Sequence, residues 1–554
     1  MDRRTRETAG RWCTVKHGAG RADAPVPVDT RTYEHVIIAD DGPANPGAGA
    51  FPGRRDRAWS WLPICLAVAA AVGGSWVAAY YWRAGLTLSH YDAKAHLVVA
   101  RRIVDSIMPG WVQIGAVWLP LPHLLNMIPV QVDAFYRTGL SAIVISVLSF
   151  SVTVYVLTRI VLHITGSPLA ATLGVMAFAL NPDVLYLQST PMTEPLLMAL
   201  TAAAVWLACD AFHEGRPRVV RRAGLALAAA ALTRYEAWPI VVAILGVGCL
   251  TLFWQGAGLG PALRRTSRLA WYPAAALCGF LLLSRATVGE WFVQGGFFVP
   301  DNIAMDRPLR AGVSVWWGLH ELTSYPLAVF GALGLVGAVI TAVRHRNRAL
   351  IVVPLALAAA GLLPWYAFYH GHPFRIRYMI PLVPVVALGM GLAIGSSRRW
   401  RLPLAAAAVA ALAFGPRPLD AGAPLVLEAQ WDTEHRLGRA QVTAYLVHAW
   451  DHQPIMASMG SLAHYMQELS AAGFRLADFL HEGNGDIWLA ALVYPDPHVA
   501  WILVEEQAEG GDMLAALARQ RPRFLANYER VAEGGGVALY RRKPRTDIGS
   551  SPGG

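Results

Sequence analysis

The sequence predicts an all-α polytopic membrane domain followed by a small α/β domain, and three observations lead there. Apolar residues make up 55% of the 554 and charged ones only 15%, far from the balance of an ordinary soluble domain. Roughly eleven apolar runs lie between residues 62 and 415, most near the ~20 residues a helix needs to cross the hydrocarbon layer. Beyond residue 416 charge rises, the runs shorten, and helix-like and strand-like stretches alternate.

Taken in order, residues 1–57 are rich in Arg, Gly, Pro, Asp and Ala without periodicity. Such a stretch cannot bury a core and predicts a disordered cytoplasmic tail. With that much polar chain ahead of it, the first span, 62–82, is expected to stay as an anchor and not to be cleaved as a signal peptide. The further runs fall at 138–162, 167–182, 193–212, 222–234, 237–255, 269–286, 314–342, 349–369, 377–395 and 400–415. Thr233 to Pro239 breaks one long stretch and reads as a tight turn between two spans. Basic clusters at Arg54/Arg55/Arg57, Arg159, Arg216/Arg218/Arg221/Arg222, Arg264/Arg265/Arg268, Arg344/Arg346/Arg348 and Arg398/Arg399/Arg401 fall in alternate loops. Excess Lys and Arg marks cytoplasmic loops, so the N-terminus is predicted inside, and 83–137, 183–192, 233–238, 287–313, 370–376 and everything past 415 outside.

The same clustering accounts for the net charge of +10. The arginines orient spans and do not build a nucleic-acid-binding face, so no nucleic-acid partner is expected. Four of the five cysteines (Cys65, Cys209, Cys249, Cys278) sit in apolar runs and Cys13 in the tail, which gives neither a disulfide framework nor zinc spacing.

The first external loop, 83–137, is too long for a bare connector. Over 93–108, Leu97, Val98, Val99, Ile103, Val104 and Ile107 alternate with Lys94, Arg101, Arg102 and Asp105 at near-helical spacing, which predicts a helix lying in the membrane interface. The stretch 118–130 carries three prolines and predicts an interfacial or re-entrant segment. In the soluble domain, 416–546, helices are predicted at 433–450, 461–472 and 513–520, and strands at 454–458, 499–504, 524–531 and 537–541. Gly534-Gly535-Gly536 reads as the hairpin turn before the last strand, no catalysis is assigned to this domain, and 547–554 reads as a disordered tail.

Chemistry is sought among ionisable residues at the ends of spans, where they are costly and usually face a polar cavity. Asp92, in Ser89-His90-Tyr91-Asp92-Ala93-Lys94-Ala95-His96, can act as a general base with Lys94 and His96 beside it; the plainer reading is a solvated loop. His90, Asp92 and His96 can also be read as ligands for a divalent metal ion, but their spacing matches no strong motif, and the metal is left unknown. Glu194 opens the fourth span, where a capping role competes with a functional one, and Asp183 reads as a turn residue. Arg234 with Glu236, and Arg375 with Arg377, run against the topology signal. Guanidinium groups suit phosphate through bidentate hydrogen bonds; interfacial snorkelling, or a structural Arg234–Glu236 pair, is the alternative.

These residues carry a resemblance. Tyr91-Asp92 in a long first loop, Thr190-Pro191-Met192-Thr193-Glu194-Pro195, Leu232-Thr233-Arg234-Tyr235-Glu236-Ala237-Trp238 and Arg377-Tyr378-Met379-Ile380-Pro381-Leu382-Val383-Pro384 resemble motifs of the GT-C class of multi-spanning glycosyltransferases. The resemblance is to bacterial relatives of protein O-mannosyltransferases and of the aminoarabinose transferase that modifies lipid A, and spans about residues 60–400. It implies a multi-pass protein of the cell's inner membrane using a polyprenyl-phosphate sugar donor and a glycan, lipid or protein acceptor. It further implies Asp92 as base, with Glu194 and Glu236 positioning the acceptor or the arginines. Arg234 and Arg377, then Arg375 and Lys94, would bind the leaving phosphate, Tyr91 and His96 would be accessory, and transfer would invert the anomeric centre. Asp92 stands alone between Tyr91 and Ala93 where the mannosyltransferases carry an adjacent Asp-Glu pair, so mannose and a hydroxyl amino-acid acceptor are not implied.

A transporter or flippase of lipid-linked saccharides is the alternative, and would bring inverted repeats and midplane polar residues; no internal repeat is evident. A non-catalytic scaffold is the third reading, and predicts that changing Asp92 is harmless.

Overall fold

The computed structural model describes residues 59–291, 302–507 and 511–544. The two predicted tails, 1–57 and 547–554, and the middle of the 287–313 loop lie outside the described residues. The described residues all belong to one compact unit.

Among the described residues, eight helices are long and apolar enough to cross a membrane: Leu62–Arg83, Leu140–Thr165, Glu194–Glu214, Ala237–Ala257, Leu259–Val288, Tyr325–Arg344, Ile351–Tyr369 and Ile376–Ser396. The other three of the eleven apolar runs form shorter helices. The 167–182 run gives Pro168–Ala179 and the 400–415 run Arg401–Ala413, and Pro217–Ala231 has only 15 residues with Arg218, Arg221 and Arg222 on it. The 314–342 run is two helices, Pro308–Thr323 and Tyr325–Arg344, broken where Ser324 takes φ 81°.

Ile376–Ser396 lies at the centre, 83% of its apolar window buried, whereas Leu259–Val288 is at the margin with 22%. Glycines permit the central crossing. A Cβ on Gly334 would stand 1.7 Å from the Gly389 carbonyl oxygen, and one on Gly389 2.1 Å from that of Gly331, so the two backbones touch without side chains between them. Gly174 meets Gly391 in the same way, 2.8 Å from its Cα.

The first loop departs from expectation. Its helix, Tyr91–Arg101, does not lie in an interface against lipid, because every residue from Asp92 to Arg101 is buried. Ala95, Leu97, Val98 and Ala100 share one core with Val442, Leu462, Met466, Leu469 and Trp501 of the C-terminal domain. The near-helical apolar spacing is a docking face for that domain. Pro424–Glu428, within the 416–546 segment, packs on the membrane part, where the Leu425 N–H donates to Asp183 at 2.8 Å.

The sheet domain proper runs from the helix Thr433–Ala449. Its strands are β1 (Ile455–Ala457), β2 (Phe479–Leu480), β3 (Trp501–Glu505), β4 (Tyr528–Gly534) and β5 (Val537–Arg542), in spatial order β2-β1-β3-β5-β4. β1 pairs in parallel with β2 and β3, and β5 runs antiparallel to β3 and β4. The β4–β5 turn places Gly535 and Gly536 at φ 58° and 82°, the left-handed pair that a tight hairpin needs. Neither β2, two residues long, nor the helix Gly485–Val493 is anticipated by the sequence.

Candidate active site

Four separate stretches meet at one end of the helix bundle. Asp92 sits in the first turn of Tyr91–Arg101, where the His90 Nδ1 caps the helix by accepting the Asp92 N–H at 3.1 Å. Glu194 opens Glu194–Glu214, Arg234 and Glu236 occupy the turn before Ala237–Leu252, and Arg377 starts the central helix. A Pro at the second or third position, or a turn of 3₁₀ geometry, sharpens several of these helix starts and holds the polar groups at the mouth of the bundle.

The Asp92 carboxylate forms an ion pair with Arg377 Nη2, and both residues are buried, at 7% and 8% exposure. Among the described residues the Nε and Nη1 of Arg377 have no hydrogen-bond partner. A buried guanidinium therefore holds one carboxylate and keeps its other donors unused. Burial alone would raise the Asp92 pKa, but the Arg377 guanidinium beside it overcomes this and holds the carboxyl well below the usual carboxylate range.

Arg234 is clasped differently. Its Nη2 donates to Glu236 Oε1 at 2.8 Å, its Nε lies 3.2 Å from both Glu236 oxygens, and its Nη1 donates to Thr193 Oγ1 at 2.9 Å. Glu194, fully buried, brings Oε1 to 3.1 Å from Arg234 Nη1, off the hydrogen-bonding direction, so neither of its oxygens is hydrogen-bonded among the described residues. Burial pulls the Arg234 pKa down; Glu194 and Glu236 more than offset it, against the repulsion of Arg377. His96 joins the two groups, within the field of Asp92, Arg234 and Arg377. Its Nδ1 is 3.1 Å from His123 Nε2 and its ring 4.1 Å from that of Trp118. Burial pushes His96 well below its ordinary value and His123 down to about 3, so both rings are neutral at neutral pH.

Asp92, Glu194, Arg234, Glu236, Arg377 and His96 are thus brought together. Lys94 and Arg375 are elsewhere. The Lys94 ammonium donates to Glu468 at 2.5 Å in the C-terminal domain, and the Arg375 guanidinium lies 5.5 Å from the Trp431 ring. Tyr91 stacks on His90, ring centroids 4.8 Å apart. Asp183 is buried away from the cluster, and burial pushes its carboxyl up to about 7 against the hydrogen bond from Leu425. His123 was missed in the sequence; the only hint was a lone histidine in an apolar stretch broken by prolines. Among the described residues no group of three or more His, Cys, Asp or Glu side chains converges so as to hold a metal ion, and His90, Asp92 and His96 have the partners described instead.

No family model and no curated protein matches the chain. Among solved structures, ArnT from Cupriavidus metallidurans in the apo state matches at 13% identity and a TM-score of 0.54, covering 87% of this chain and 98% of that one. The chain has the ArnT fold. The same protein bound to undecaprenyl phosphate matches equally, at 14% identity and TM-score 0.54. This is the GT-C architecture that the sequence motifs resemble, and with 98% of ArnT covered, little of that fold lacks a counterpart here.

Proposed function

We propose that the chain is an integral membrane glycosyltransferase that moves a sugar from a polyprenyl-phosphate donor to an external glycan, lipid or protein acceptor, with inversion. It would act in the inner membrane, with the N-terminus cytoplasmic and the sheet domain outside. The observation that carries this reading is the pair of unused donors on buried Arg377, beside a carboxylate at the mouth of the bundle. The ArnT fold, one example of which binds undecaprenyl phosphate, supports the choice of lipid. The gathering of charge at one end and not at mid-bundle supports transfer over transport.

In the reaction the acceptor hydroxyl attacks the anomeric carbon, the bond from that carbon to the phosphate oxygen breaks, and Asp92 takes the hydroxyl proton. The donor phosphodiester carries one negative charge and the departing phosphomonoester gains a second, so cationic donors bind the transition state more tightly than the ground state. Arg377 supplies these through Nε and Nη1, and Arg234, kept charged by Glu194 and Glu236, supplies the longer-range field. A phosphate drawing the guanidinium away from Asp92 also raises the basicity of that carboxylate as the donor binds.

The test uses the protein in lipid nanodiscs with radiolabelled undecaprenyl-phosphate monosaccharides and extracted cell-envelope acceptors. Asp92→Asn is expected to lose about 100-fold or more of the transfer rate, in line with removal of a general base, and Arg377→Ala at least as much. Wild-type transfer by Asp92→Asn would sink the reading, and a product retaining the donor anomer would remove the single displacement.

A further inference from the structure

The helix Tyr91–Arg101 has two polar faces directed to different parts of the molecule. Asp92 and Lys94 are two positions apart, ~200° around a helix, so they cannot face the same way. Asp92 meets Arg377 of the central membrane helix, and Lys94, with 3% of its side chain exposed, meets Glu468 on the helix Met459–Leu469. Glu468 also accepts from Arg439, Nη2 at 3.1 Å and Nε at 3.2 Å, and Asp432 clasps Arg439 through both oxygens, at 3.0 and 2.6 Å. Two cations and two carboxylates close a neutral network. Nearby His464, 3.9 Å from Asp432, is pushed by burial and then Arg439 down to about 4 and adds no charge at neutral pH.

An apolar face alone allows a helix to slide; directed bonds to ions do not. Buried ion networks contribute little net stability, and their best-attested use is to fix one register. The rest of the first loop is tied down in the same direction. Asp105 accepts the N–H groups of Leu476 and Ala477 at 3.3 and 3.0 Å, Gln113 Nε2 donates to Gly483 O at 2.8 Å, and Gln467 Nε2 donates to Tyr136 O at 3.1 Å.

We infer that the C-terminal domain is a positioning element for Asp92, and that the Lys94–Glu468 pair is the contact through which it sets the place of that carboxylate against Arg377. This rests on the proposed role of Asp92 as base and assigns Lys94 a part other than phosphate binding. Neither Lys94 nor Glu468 touches the reacting groups; both act through the helix.

The experiment compares Lys94→Met, Lys94→Arg and the double variant Lys94→Met/Glu468→Gln with the wild type in nanodiscs. It measures kcat and KM for a radiolabelled undecaprenyl-phosphate monosaccharide, thermal unfolding, and amide hydrogen exchange over residues 91–101. Lys94→Met leaves an unbalanced buried carboxylate and is expected to lower the unfolding temperature; the double variant restores neutrality and recovers it. If the pair positions Asp92, kcat stays at least about tenfold down in the double variant, since shifts of an ångström have such costs. The donor KM holds, exchange over 91–101 is faster, and Lys94→Arg keeps most of the activity. Wild-type kcat or wild-type exchange in the double variant would overturn the inference. Loss of activity in Asp92→Asn with full activity in the double variant would reject the positioning role alone, whereas full activity in Asp92→Asn would reject the function on which it depends.

Discussion

At the scale of the residue, the chemistry of the mouth is set by which carboxylate each guanidinium faces. Arg234 has two, Glu194 and Glu236, whereas Arg377 has Asp92 and unused donors. The depressed Asp92 pKa has a signed consequence for pH. A carboxyl held below its unfolded value of about 3.9 contributes stability above that pH, and loses it as the pH falls through the lower folded value. With Arg377→Gln the burial of Asp92 loses its main opposing charge, so its folded pKa should rise above the unfolded one and the sign should reverse. The contribution of Asp92 to the stability of that variant would then be greatest below about pH 4 and decline as the pH rises. Thermal unfolding in detergent between pH 3 and 8 reads both slopes, and parallel curves would show that Asp92 does not sense Arg377. The acids and arginines that meet were visible in the chain because they sit at the ends of apolar runs. Lys94 was grouped with Asp92 by proximity along the chain, though a helical spacing of two already separated their faces. Arg375 precedes the helix that Arg377 begins, and only the fold shows it turning to Trp431.

At the scale of the element, the seam between Tyr325–Arg344 and Ile376–Ser396 decides whether Arg377 reaches the mouth. Gly389→Ala would put a methyl group inside the Gly331 backbone, whereas Gly337→Ala, elsewhere on Tyr325–Arg344, meets nothing within 4 Å. The first is expected to cost about 1–3 kcal/mol or more, the range for overpacking, and to lower transfer because the Arg377 helix is displaced; the second is expected to be neutral. Unfolding temperature and transfer rate for the two alanine variants check this, and equal behaviour would dismiss the seam. Apolar length identified most spans, because a helix that must cross hydrocarbon has little freedom in composition. The runs at 167–182, 222–234 and 400–415 give the shorter helices Pro168–Ala179, Pro217–Ala231 and Arg401–Ala413, whose length alone does not mark them as spans. Apolar length also merged two helices at Ser324, whose positive φ no hydropathy pattern records.

At the scale of the whole molecule, the first loop and the C-terminal domain share one hydrophobic core, so neither is complete alone. Truncation after Trp431 would uncover Ala95, Leu97, Val98 and Ala100, which pack with Leu462, Met466 and Trp501. The truncated chain is expected to lose protection of the 91–101 segment in limited proteolysis and to elute with aggregates in detergent; an unchanged cleavage pattern would show that the membrane part holds this helix unaided. The alternation of helix-like and strand-like stretches after residue 416 was enough to anticipate an α/β domain, because period-two and period-3.6 patterns differ. The docking of that domain was not legible. An amphipathic helix displays the same periodicity whether its apolar stripe meets lipid headgroups or another domain, so the pattern of Tyr91–Arg101 does not tell the two apart.

The marginal helix Leu259–Val288 has 30 residues, about 45 Å of rise against a ~30 Å oily layer. The twenty residues from Leu269 to its last residue already match that layer, and Arg264, Arg265 and Arg268 lie in the turns before them. Guanidinium groups so placed are expected to gain about 1 kcal/mol for each basic side chain beside anionic lipid, so the surplus length of this one helix would tie the rim of the bundle to the surface charge of its leaflet.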